Sequence, residues 1–82
     1  MSFVLALVDD VFFQAKLLEV ARHVGVELRT VTTAEALVLG AAAQPALIIV
    51  DLNAPQGGVE ALERLRAAGN QRPVIAFLSH VQ

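Results

Sequence analysis

Three aspartates and one hydroxyl carry the chemistry this sequence could do. Asp9-Asp10, Asp51 and Ser79 each stand directly after a short apolar run: Phe3 to Val8, Ala46 to Val50, and Pro73 to Leu78. If those runs are neighbouring parallel strands, all four side chains meet on one edge, outside the carboxyl ends of the strands. Three carboxylates there repel one another, at about 4 kcal/mol per pair for a separation of roughly 4 Å and an effective dielectric of about 20. A hard divalent cation relieves that repulsion. Magnesium takes carboxylates and carbonyls, keeps several waters and binds with phosphate oxygens, so the set suits Mg²⁺ better than zinc. Each residue also has an ordinary reading. Asp10 before a helix is a good N-cap, Asp51 after a strand can be a turn residue, and Ser79 can be a loop hydroxyl.

The elements that must position these residues alternate in period. After Phe3 to Val8, Phe13, Leu17, Val20, Ala21 and Val24 form one helical stripe, which Gly25 stops. Val26 to Val31 reads as a half-wet edge strand, because Glu27 and Arg29 alternate with apolar positions. Thr32-Thr33-Ala34-Glu35 matches a capping box with Thr32 at the cap, opening an Ala/Leu-rich helix to about Ala43. Gln44-Pro45 ends that helix. Ala46 to Val50 is apolar throughout, as expected of a central parallel strand covered on both faces. Asn53 to Gly58 is a loop. Val59, Leu62 and Leu65 mark a third helix ending near Gly69-Asn70, and Pro73 to Leu78 is a fourth strand. The order β-α-β-α-β-α-β predicts one α/β domain over residues 1–82, a parallel sheet with helices on its faces.

With these residues in place, the chain resembles a bacterial response-regulator receiver (CheY-like) domain. The resemblance rests on Asp9-Asp10, on Asp51-Leu52-Asn53-Ala54-Pro55-Gln56-Gly57-Gly58, and on Ser79. The D-x-x-x-P-x-x-G spacing from Asp51 through Pro55 to Gly58 is its most specific part. It implies a flavodoxin-like sheet in the order 2-1-3-4 and an aspartyl-phosphate switch. Asp51 would accept a phosphoryl group from a histidine kinase, a phosphotransfer protein or a small phosphodonor. Asp10, Asp51 and the backbone carbonyl of Asn53 would hold Mg²⁺, with Asp9 acting through water, and Ser79 would bond a phosphate oxygen. Receivers continue through a further helix, strand and helix. This sequence stops at Gln82, so that final unit and its strand-5 lysine are expected to be missing. Lys16, inside helix 1, cannot replace that lysine. His80 stands where the family usually has a small residue, and His23 reads as a surface histidine near a helix C-terminus.

Composition narrows the classes. The chain is 56% hydrophobic and 17% charged, more apolar than one small core requires. Pairing with another copy, by edge contact or domain swapping, or membership of a larger core would absorb the surplus. Net charge is -2, and the six cations (Lys16, Arg22, Arg29, Arg64, Arg66 and Arg72) are scattered, which argues against direct nucleic-acid binding. There are no cysteines. No apolar run approaches the roughly 18 residues of a membrane span, and no signal-peptide pattern opens the chain, so a cytoplasmic protein is expected. A turnover enzyme is not expected. The competing class is a degenerate receiver that works by docking, without phosphorylation. A flavodoxin-like cofactor carrier fits poorly, since the acidic, bulky Asp9-Asp10-Val11-Phe12 turn repels phosphate and no G-x-G-x-x-G occurs. A Ser79-His80-Asp51 triad is disfavoured because adjacent Ser and His at one strand end point apart.

Overall fold

The computed structural model describes residues 2–52 and 58–77. Four strands, β1 (Phe3–Leu7), β2 (Glu27–Val31), β3 (Leu47–Asp51) and β4 (Val74–Phe77), alternate with three helices. The helices are α1 (Val11–Val24), α2 (Ala34–Ala41) and α3 (Gly58–Ala67). All strand pairs are parallel, in the order β2-β1-β3-β4. The parallel sheet expected from the alternating pattern and the order implied by the resemblance are both observed, with each strand within a residue or two of its expected bounds.

Most of the core lies on one face of the sheet, with Ala6 and Val8 buried on the other. Phe3, Leu5 and Leu7 of β1 and Ile48 and Val50 of β3 pack against Ala34 and Leu37 of α2 and Ala61 and Leu65 of α3. Alternation along each strand sends Val4, Ala6 and Val8, and Leu47, Ile49 and Asp51, to the other face. That face belongs to α1, which is joined to it by the Gln14 Nε2 to Thr30 Oγ1 hydrogen bond of 2.7 Å and by ring contact between Phe13 and Phe77.

The two faces are unequally covered. No residue of α1 is buried. Phe13, Leu17 and Ala21 of its expected stripe are half-buried, whereas Val20 and Val24 remain exposed. A helix about 10 Å wide covers only about two strands spaced roughly 4.8 Å apart. The expectation that β3 is covered on both faces therefore needs correcting: Ile48 and Val50 are buried, while Leu47 and Ile49 are half-buried. β4, apolar throughout, is an exposed edge among the described residues, with Ile75 53% exposed.

Local signals explain the element ends. Gly25 adopts φ 77°, a left-handed conformation that costs glycine little, and Val26 N–H closes the helix end on Ala21 O at 2.8 Å. The cap of α2 is Thr33, not Thr32: its hydroxyl accepts from Ala36 N–H at 3.1 Å. Glu35 then falls in the second helical position, one short of the reciprocal bond a capping box needs, and acts only as an acidic residue in the first turn. At the opposite edge of the sheet from the acidic residues, Arg72 Nε donates to Pro45 O at 2.8 Å and ties the entry of β4 to that of β3.

Candidate functional site

Asp51 is the last residue of β3 and is 2% exposed, the one charged side chain in the buried set of the described residues. A buried carboxylate is rare and needs partners, so a central strand that ends in one marks a candidate site. Its neighbours follow from register. Leu7 pairs with Val50, so Val8 stands beside Asp51 on one side; Phe77 is its register partner on the other. The ladders continue one step past the strands, through Val8 N–H to Val31 O at 3.1 Å and Leu52 N–H to Phe77 O at 2.8 Å. The second bond fixes the backbone that carries Asp51 on its β4 side, and the first holds its β1 neighbour Val8 to β2.

Asp9 and Asp10 are the next two residues of the β1 segment, so they overhang the same carboxyl edge. Asp9 is exposed. Asp10 is the N-cap of α1: its Oδ1 accepts from Phe12 N–H at 2.9 Å and from Phe13 N–H at 3.3 Å. The capping reading of Asp10 thus holds, with both bonds on one oxygen. Among the described residues, no three His, Cys, Asp or Glu side chains gather closely enough to hold a metal ion. Capping turns Asp10 toward the α1 amides, while Asp9 and Asp51 stand at the same carboxyl edge. Hard oxygen donors in that number match the one or two carboxylates Mg²⁺ uses alongside waters and phosphate, so the donor chemistry fits that ion. Asn53, Ser79 and His80 lie outside the described residues. Lys16 and His23 are exposed on α1, His23 in its last turn with Arg22.

Two features of the site were not read from sequence as functional. Gly58, the first residue of α3, sits against the Asp51 backbone: a Cβ there would overlap the Asp51 carbonyl oxygen and lie 2.7 Å from Leu52 Cα. Phe77, the register partner of Asp51, meets Phe13 with ring centroids 5.0 Å apart at 43°. Gly58 carried a signal in its spacing from Asp51; the phenylalanines read only as core positions.

The two roles open to Asp10 separate by substitution. Asp10→Ala removes the cap and should cost about 1 kcal/mol of stability. Asp10→Asn keeps a capping oxygen and should stay within a few tenths of the parent in a urea melt, while removing the charge from the acidic edge. Equal stability loss in both variants would contradict the capping role.

No protein-family model matches the sequence, and no curated protein matches it. Among solved structures, the chain is similar to the MaeR response regulator bound to beryllium trifluoride, with TM-score 0.77 at 20% identity. The match covers 100% of this chain and 70% of that one.

Proposed function

Taking the receiver-like fold as the premise, we propose that the chain is a phosphoacceptor module of two-component signalling, taking a phosphoryl group on Asp51. The observation that carries this is a buried aspartate ending the central strand β3, beside the acidic overhang of β1. The similar response regulator holds beryllium trifluoride, a mimic of a phosphoryl group, which supports the same chemistry here. A fold alone does not fix a function; Asp51 and its setting supply the rest.

In this reading an Asp51 carboxylate oxygen attacks the phosphorus of the donor. The new O–P bond forms as the bond from phosphorus to the donor's leaving atom breaks, and the leaving group takes the electron pair. An acyl phosphate results, as expected of a carboxylate nucleophile. Phosphoryl transfer depends mainly on positioning and charge neutralisation. The fixed ladders around Leu52 and Val8 provide the positioning. Asp9 and Asp51, with Asp10 and the Asn53 carbonyl where they can reach, would hold Mg²⁺, which when bound supplies neutralising charge. Ser79 would donate its hydroxyl to a phosphate oxygen. The phosphodonor partner is a histidine kinase or phosphotransfer protein, and the cellular setting is the cytoplasm. No helix among the described residues is long and apolar enough to cross a membrane. The module is a substrate of phosphoryl transfer rather than a turnover enzyme.

A second reading, docking without phosphorylation, is favoured by one observation: Phe12 is 84% exposed beside exposed Val11, and Ile75 of the β4 edge is also open. Surfaces of this kind suit a second copy or a partner protein. Incubation with Mg²⁺ and acetyl phosphate, followed by intact mass, decides between the two. One phosphoryl gain, lost in Asp51→Asn, supports the acceptor. A folded, dimeric sample with no gain supports docking.

A further inference from the structure

We infer that β4 pairs antiparallel with β4 of a second copy of this chain, across a two-fold axis at Ile75, making one continuous sheet with four strands from each copy. The inference is independent of phosphoryl transfer and goes beyond it. It starts from the direction in which the backbone groups of β4 point. Pro73 O accepts from Ile48 N–H at 2.9 Å, and Phe77 O accepts from Leu52 N–H at 2.8 Å. In a strand, the N–H and C=O of one residue face the same neighbour, and those of the next residue face the opposite way. Pro73, Ile75 and Phe77 therefore turn their backbone groups to β3, while Val74 and Ala76 turn theirs outward. These outward donors and acceptors form an open edge. The side chains along it are exposed too, Val74 by 36% and Ile75 by 53%.

An antiparallel register centred on Ile75 sets Val74 opposite Ala76 of the second copy. Each such pair exchanges both N–H···O bonds, so the two symmetry-related pairs satisfy every outward group of Val74 and Ala76. Centring on Val74 or Ala76 instead satisfies only one of the two residues from within β4. Ile75 then meets Ile75 of the second copy at a non-hydrogen-bonded position, with Cα atoms about 4.5 Å apart, where apolar cross-strand pairs are favourable. Ile75 shares a face with its register partner Ile49, which is only half-buried, so the pairing also covers apolar surface on that face.

The contrast between the two edges of the sheet identifies the partner as a second copy. Natural edges are blunted by charge, proline or bulges. β2 carries Glu27 and Arg29, both exposed and ion-paired at 2.8 Å. β4 carries no charged residue. Pro73 does not block the edge, since its missing N–H would face β3. The cation that precedes it, Arg72, is held to the β3 side, where its Nε donates to Pro45 O at 2.8 Å. An uncharged strand meets its own copy without like-charge repulsion, whereas a charged partner strand finds no counter-charge on it. The contact is isologous, so each copy uses its open edge and assembly closes at two.

Sedimentation equilibrium and amide exchange followed by NMR test this on the full chain. The parent is expected as a monomer–dimer equilibrium. Its Val74 and Ala76 amides should exchange more slowly as concentration rises, with Ile75 and Phe77 amides protected throughout. Ile75→Lys sets two ammonium groups across the axis and should raise the dimer Kd about tenfold or more, with parental circular dichroism. Ala76→Pro deletes an outward N–H and no bond to β3, and should weaken the dimer similarly. The parent's own amide pattern decides the matter if either variant fails to fold. A parent that stays monomeric at every concentration overturns the inference and leaves the edge to a strand of different sequence. A dimer whose Val74 and Ala76 amides exchange freely overturns it by placing the interface elsewhere. A dimer that Ile75→Lys leaves intact, or assembly beyond two copies, overturns it as well. Phosphoryl gain at Asp51 is read separately, so its failure and the failure of this pairing are distinguishable.

Discussion

Replacing Gly58 by alanine should destabilise the chain by about 2 kcal/mol and slow phosphoryl transfer to Asp51. By helix propensity alone, alanine would gain roughly 0.8–1 kcal/mol at a helical glycine. Packing reverses the sign. The added methyl would overlap the Asp51 carbonyl oxygen and crowd Leu52 Cα. These are backbone atoms fixed by the β3–β4 ladder, so no side-chain rotation can relieve the overlap. Overpacking of a rigid site costs about 1–3 kcal/mol, and here the strain is relieved only by shifting α3 or the segment that carries Asp51. A urea melt gives the stability, and Asp51 labelling by acetyl phosphate gives the functional displacement. A variant as stable as the parent and equally fast would show that α3 can retreat freely.

Leu37→Ala should cost more, about 2–5 kcal/mol. Leu37 is fully buried on α2, where it meets the β1 and β3 side chains that form the core. At about 0.05–0.15 kcal/mol per residue, a chain of this length has roughly 4–12 kcal/mol in total, so the variant should lose a large share of it and its urea midpoint should fall sharply. Leu39, two residues on, is 70% exposed. Leu39→Ala should stay within about 0.5 kcal/mol. The pair is informative because both changes remove the same atoms from the same helix. Similar urea midpoints for the two would contradict the burial of the Leu37 side of α2.

What the sequence could convey depended on whether the signal was local. β3 and its terminal Asp51 were legible because an apolar run ending in a carboxylate has few alternatives in a parallel sheet. Gly25 and Asp10 were legible as caps, because their roles depend on their own backbone and the next few amides. The α2 cap was misplaced by one residue. Thr32 and Thr33 are chemically equivalent, and only the chain direction out of β2 selects Thr33. Burial of the α1 stripe was overestimated: periodicity says which residues share a helix face, not whether the sheet beneath is wide enough to leave part of that face uncovered. The Phe13–Phe77 contact joins residues that are distant in sequence and required the register of β3 against β4 before it could be seen. The expected placements of Asn53 and Ser79 lie outside the described residues and rest on the resemblance alone.

The most direct measurement is reductive trapping after incubation with Mg²⁺ and acetyl phosphate. Borohydride converts an aspartyl phosphate into homoserine, and peptide mapping locates it. Homoserine at position 51, dependent on Mg²⁺ and absent from Asp51→Asn, is the predicted result. Homoserine at Asp9 or Asp10 instead, or none from a folded sample, would contradict Asp51 as the phosphoryl acceptor.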